Sequence, residues 1–298
     1  MTCRFVVLDV FTDRTLSGNP LAVVLDTEGL DGNHMQAIAR EFNLSETAFV
    51  LKPHEEGNRA RLRIFTPNHE LPFAGHPTVG AAVLLALTDG VTTSTDFVLE
   101  EDVGPVACHV MVKGERSGRA TFTVPRIPEI VDAAPMSRED CAQALGLDTA
   151  DIGFDRYGPV VASAGVPFVC VPLASRSALA RISPSAARLI STFGGGADSV
   201  YVFCRDEDGE GDFRSRMFAA NMGIDEDPAT GSAAAALAAV LLAGETSGDG
   251  FHAFDILQGV EMGRPSLVRL GLQVEHGALS AVTIGGGAVI VAEGVLHV

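Results

Sequence analysis

The strongest constraint on this chain is that it repeats itself. In the first half, RLRIFTPN runs on toward GHPTVGAAVLLAL. In the second half, RSRMFAAN runs on toward DPATGSAAAALAAVLL. Arg63, Phe65 and Asn68 recur at the same mutual spacing as Arg216, Phe218 and Asn221. After the intervening loop, His76-Pro77 corresponds to Asp227-Pro228, and Gly80 to Gly231. The period is about half the 298 residues, so the chain reads as two copies of one structural unit. Each copy is long enough to bury its own core. Where the copies differ, His76 against Asp227 above all, an asymmetric chemistry has room to operate.

The unit is rich in strands. Short Val-, Phe- and Ile-rich stretches punctuated by Gly, Pro, Asn and Asp occur at 5–11, 21–26, 46–51, 61–66 and 119–124. In the second half they occur at 159–164, 167–173, 199–204, 214–220, 266–274 and 288–298. Residues 31–43 place Met35, Ile38, Ala39 and Phe42 at helical spacing, with Asn43 as a left-handed C-terminal residue. A second helix is expected over 137–146, from Ser137 to Gly146, and a third around 183–190. Two further helices, 77–88 and 228–243, are apolar on nearly every face, which requires burial all round. The resulting fold class is α+β: two pseudo-symmetric, sheet-built domains, each wrapping a central buried helix. The proline-dense stretch 125–135 marks the boundary, giving domains 1–128 and 129–285.

Composition bounds the partners. A formal charge of -17 argues against nucleic acid, which requires a basic face. With 47% hydrophobic and 20% charged residues the chain is a folded, non-membrane protein. The longest apolar run, AAAALAAVLLA, is too short to span a bilayer. MTCRFVVLDVF has no signal-peptide character, and Cys3, Cys108, Cys141, Cys170 and Cys204 form no CxxC pair. Both point to a cytoplasmic location with buried thiols. His54, His69 and His109 have no metal-site spacing. The GGG runs at 194–196 and 285–287 lack the GxGxxG form, and no GxSxG occurs.

Three places carry chemistry. His76 and Asp227 each precede a proline at the start of a central helix, which is where an N-cap residue stands. Each is either a structural cap or part of a site. In the second reading, two helix N-termini aimed at one small anion would hold a carboxylate on the backbone around Gly75, His76, Gly231 and Ser232. The third place is Glu46 in LSETAFVL, flanked by Ser45 and Thr47. It is a solvated carboxylate at a strand edge or, in a partly dry pocket, a general base and acid.

Together, GNPLAVVLD (18–26), NLSETAFV (43–50), PFAGHPTVGAA (72–82) and EDPATGSAAAA (226–236) resemble the PhzF-like family of phenazine biosynthesis. That family belongs to the diaminopimelate-epimerase fold. The resemblance covers both halves in order. It implies two barrel-like domains around central helices, the first completed by residues 286–298, with an active site between them. It implies Glu46 as catalytic acid/base, His76, Asp227 and Ser232 as substrate partners, no cofactor or metal, and a homodimer. The cysteine pair of the wider fold's epimerases and racemases is missing from FAGHP and DPATG. The expected activity is therefore a cofactor-independent isomerisation of a small carboxylate metabolite, by proton transfer through Glu46. An epimerase with Glu46 and Asp227 as opposed bases, and a non-catalytic binding protein on the same scaffold, are the alternatives.

Overall fold

The computed structural model describes residues 1–131, 136–193, 199–207, 209–220, 224–244 and 248–298. Asn221, the glycines 194–196 and the end of the 125–135 stretch lie outside the described residues. The chain divides into two compact units, Met1–Pro125 with Gly285–Val298, and Arg126–Ile284.

In the first unit the strands close on themselves. Thr2–Val10 pairs with Asn19–Val24, and the order continues through Glu46–Leu51, Ala60–Phe65, Ser94–Glu101, Gly104–Val112 and Ser117–Thr123. The C-terminal part of the strand Ala278–His297 then pairs with Ser117–Thr123 on one side and Thr2–Val10 on the other. No edge is left within that ring, the most complete protection a sheet can have. The helix Gly75–Thr88 fills it. Every residue from Gly75 to Ala86 is buried, in keeping with a sequence that offers no polar face. Gly80 sets how closely helix and strands approach. A Cβ there would sit 2.5 Å from Leu21 Cδ2 and 2.9 Å from Val10 Cγ2.

The second unit repeats the pairing scheme. Glu129–Val131 leads into Val160–Ser163, Pro167–Pro172, Val200–Arg205, Phe213–Ala219, Gly250–Gln258 and Ser266–Glu275. From Val160 onward the alternation is antiparallel, parallel, antiparallel, parallel, antiparallel, the same as from Thr2 onward in the first unit. The helix Gly231–Gly244 touches the strands at both ends of this run, so the sheet curves around it. Its buried face is built largely of alanine, from Ala233 to Ala239, which lets the strands come close.

The repeated Arg-x-Phe is one device used twice. Arg63 makes two parallel bonds to Glu70 (2.6 and 2.7 Å), with its guanidinium 5.1 Å from the Phe65 ring centre. Arg216 makes two bonds of 2.8 Å to Glu226 and lies 5.0 Å from the Phe218 ring centre. Each clamp ties a strand of its sheet to the short strand that follows, Glu70–Leu71 or Ile224–Asp227.

The expected helix starts need correction. The first central helix begins at Gly75 with Ala74 as N-cap, so His76 lies inside the first turn and is not the cap. A proline is tolerated there as well as at the first position, because the N–H groups of the whole first turn lack helical partners. The second helix begins at Gly231. Asp227 ends the strand Ile224–Asp227, and Pro228 lies in the connection that follows.

Candidate active site

In the first unit, Glu46 and His76 come together. Glu46 opens its strand just after the helix Gly32–Phe42, which Asn43 terminates in the left-handed conformation. This turn brings the Glu46 side chain, 15% exposed, against the first turn of the central helix. His76 Nδ1 lies 3.4 Å from Glu46 Oε2. The same nitrogen lies 3.5 Å from Asn19 Nδ2, at the start of the neighbouring strand Asn19–Val24.

The ring of His76 is 4% exposed. Burial lowers its pKa to about 3, so the imidazole is neutral at physiological pH and its contact with Glu46 is not an ion pair. Two neutral tautomers suit the geometry. With the proton on Nδ1 the ring donates toward Glu46 and presents a lone pair at Nε2. With the proton on Nε2 the ring accepts from Asn19 at Nδ1. In both, Nε2 is buried with no hydrogen-bond partner among the described residues. Gly75 heads the same helix, and no side chain of its N-cap Ala74 occupies the helix end.

A neutral buried histidine has a consequence for stability. The unfolded chain takes up a proton near pH 6.5 and the folded chain only near pH 3. Stability from this group is therefore full above about pH 6.5 and is lost as the pH falls. His76→Gln is expected to remove roughly 2–3 kcal/mol of pH dependence between about pH 6.5 and about pH 4.5. Urea melts of both proteins across that range measure it.

In the second unit, Asp227, Thr230 and Gln258 form a closed hydrogen-bond set. Gln258 Nε2 donates to the Asp227 carbonyl (2.8 Å) and to Thr230 Oγ1 (3.1 Å), while its Oε1 accepts from Thr230 N (3.2 Å). Because Thr230 Oγ1 receives the amide proton, its own proton points to Asp227 Oδ2 at 2.6 Å. The carboxylate of Asp227 is thus fixed as an acceptor at the foot of the helix headed by Gly231 and Ser232. Asp227 and Gly231 are buried, and Ser232 is half-buried.

Sequence reasoning assigned no role to Asn19, Thr230 or Gln258. Asn19 lies in GNPLAVVLD, and its signal in the sequence is an asparagine directly ahead of a proline at a strand start. Gln258 gave no signal, since a glutamine before a glycine reads as an ordinary strand end. The five cysteines are buried and free. Burial pushes the thiols of Cys108, Cys141, Cys170 and Cys204 up to about 12, leaving them protonated and inert. Among the described residues no group of His, Cys, Asp and Glu is arranged to hold a metal. No described helix is long and apolar enough to cross a membrane.

Comparison with known proteins agrees with this architecture. The family model described as phenazine biosynthesis-like protein matches residues 8–294. An uncharacterized isomerase of Mesorhizobium japonicum is 45% identical over 304 residues, covering 100% of this chain and 99% of its own. The trans-2,3-dihydro-3-hydroxyanthranilate isomerase of Pseudomonas aeruginosa is 39% identical over 295 residues, covering 98% of each. The crystal structure of a Bacillus anthracis phenazine biosynthesis protein of the PhzF family superposes with a TM-score of 0.89 at 28% identity, over 100% of both chains. A strand-rich α+β chain with a closed barrel and these relatives is an isomerase. It belongs to the phenazine biosynthesis-like, or PhzF, family.

Proposed function

We propose that this isomerase moves a proton between two carbons of a small cyclic carboxylate, with Glu46 as both base and acid. The carrying observation is the 3.4 Å contact between Glu46 and a buried, neutral His76 at a helix N-terminus. Glu46 takes a proton from a tetrahedral ring carbon. The released electron pair forms a new double bond, and an existing double bond takes a proton at another carbon from the Glu46 carboxyl, which exchanges with solvent between the two steps. No oxidant or reductant is needed. Neutral His76 orients the substrate or relays a proton through Nε2.

We read the chain as two related barrel-like domains, 1–128 with 286–298 and 129–285, each with a central helix whose N-terminal end suits an anionic group of the substrate. The backbone at Gly75, Gly231 and Ser232 binds its carboxylate, and Asp227, held by Thr230, accepts from its amino or hydroxyl group. The substrate class follows the Pseudomonas aeruginosa relative, whose name specifies a 2,3-dihydro-3-hydroxyanthranilate.

The test is incubation with trans-2,3-dihydro-3-hydroxyanthranilate in heavy water, followed by NMR. Conversion is expected, with the double bond displaced and solvent deuterium at the receiving carbon. Inversion at one carbon with no double-bond shift would make the protein an epimerase. Absence of conversion and of exchange, with this compound and with a panel of amino and hydroxy carboxylates, would refute the proposal.

A further inference from the structure

The proposed chemistry makes no use of one buried carboxyl. Glu101 ends the strand Ser94–Glu101, is 6% exposed, and touches the first turn of the helix that carries His76. The Thr78 hydroxyl lies 2.7 Å from Glu101 Oε1 and 2.7 Å from the Ala74 carbonyl oxygen. Both are hydrogen-bond distances. The carbonyl has no proton, and the hydroxyl brings one. Thr78 shares it between the Ala74 carbonyl and Glu101 Oε1, or a protonated Glu101 supplies a second one. A second observation favours the protonated acid. Glu101 Oε2 is buried with no hydrogen-bond partner among the described residues, a place where a charged oxygen costs far more than a neutral one.

We propose that Glu101 is a positioning residue for the reaction. It is a neutral acid that braces the His76 turn while keeping negative charge away from the helix end that receives an anionic substrate. This rests on the reading of that helix end as part of the substrate site. An ionised carboxylate behind the first turn would offset the partial positive charge of the helix terminus and repel the substrate.

The surroundings fit. Burial raises the Glu101 pKa to about 8, against the opposing pulls of the Thr78 hydroxyl and the Ala74 backbone N–H, and neighbouring Asp102 adds to the rise. Asp102 itself faces Arg61 at 3.7 Å. On the paired strand Gly104–Val112, Glu101 stands opposite Gly104, and the titratable group within its electrostatic reach is Cys108, whose thiol is pushed up to about 12 by burial first and by the Glu101 charge second. The helix contributes the non-titrating Thr78.

The test compares wild type with Glu101→Gln, whose amide can still donate to Thr78, and with Glu101→Leu, which cannot. A carboxyl with a raised folded pKa loses stability as pH climbs from the ordinary carboxylate range to about 8. The melting temperature of Glu101→Gln should therefore gain on wild type by about 5 °C between about pH 5 and about pH 9. A gap that stays constant overturns the neutral acid.

The second readout is binding of 3-hydroxyanthranilate, an aromatic probe with the same carboxylate and no tetrahedral ring carbon. Wild-type affinity should fall about tenfold between about pH 7 and about pH 9, and that of Glu101→Gln less than about threefold. Glu101→Leu should bind weakly across the range. Parallel pH profiles for wild type and Glu101→Gln overturn the positioning role. A wild type that binds no probe at any pH refutes the substrate reading and the positioning role with it. The melting series decides the neutral acid in either case.

Discussion

Glu46→Gln is expected to slow solvent-deuterium exchange into the substrate by about 10³-fold, within the range of general acid–base catalysis, while ligand affinity changes no more than a few-fold. The amide keeps the volume and hydrogen-bonding reach of the side chain, but it cannot accept a proton at neutral pH. His76, at 3.4 Å, has its pKa lowered to about 3 and is too weak a base to abstract a carbon-bound proton. Single-turnover exchange followed by NMR, beside calorimetric titration with an unreactive analogue, separates chemistry from binding. Exchange within tenfold of wild type would remove Glu46 from the proton path. His76→Gln should lower exchange less than Glu46→Gln does, since orientation is lost and the base remains.

The second large effect concerns stability. Arg216→Ala is expected to cost about 3–5 kcal/mol, and Arg63→Ala only about 1–2 kcal/mol, although the two residues are repeats of each other. The Arg216 side chain is 9% exposed and that of Arg63 21%. Arg216 also donates to the carbonyls of Leu179 and Ile182, at 3.0 and 3.2 Å. Its removal strands a carboxylate and two buried acceptors, whereas Glu70 retains access to water. Urea unfolding of both variants measures the difference. The double variant Arg216→Met with Glu226→Leu should recover most of the loss, because the cost lies in the orphaned partners. Equal costs at the two sites would show that the clamps do the same work despite their different burial.

Much of this was legible in the sequence, for identifiable reasons. A helix with no polar face can only be interior, so Gly75–Thr88 and Gly231–Gly244 announced themselves. Their C-terminal ends matched expectation within a residue. Their starts did not, because proline is compatible with any position of a first turn and Asp-Pro is equally at home after a strand. Arg63 and Phe65 were visible as a repeat, but the reason for their retention, a guanidinium shared between a ring and a glutamate, is a three-dimensional fact.

The strands Ser94–Glu101, Gly104–Val112 and Gly250–Gln258 went unread. Ser94–Glu101 is mostly polar or charged, and in the other two strands large apolar residues, Met111 and Phe251, stand at exposed positions and blur the apolar–polar alternation. Glu101 was hidden by its neighbours. In LEEDVG it reads as one more acid at a hairpin end, and only the packing of helix against strand shows that it is sealed from water.

The strand Ala278–His297 bears on how the molecule comes to be. Its last residues pair with Thr2–Val10 from Thr2 opposite His297 to Val10 opposite Ala288. The unit whose synthesis begins first is therefore the one completed last. While the ribosome makes the intervening residues, the nascent first unit has two unsealed margins, at Thr2–Val10 and at Ser117–Thr123, open to mispairing. Both are joined only when the tail emerges, and that long-range closure is the slow kind of step that a chaperone would be suited to guard.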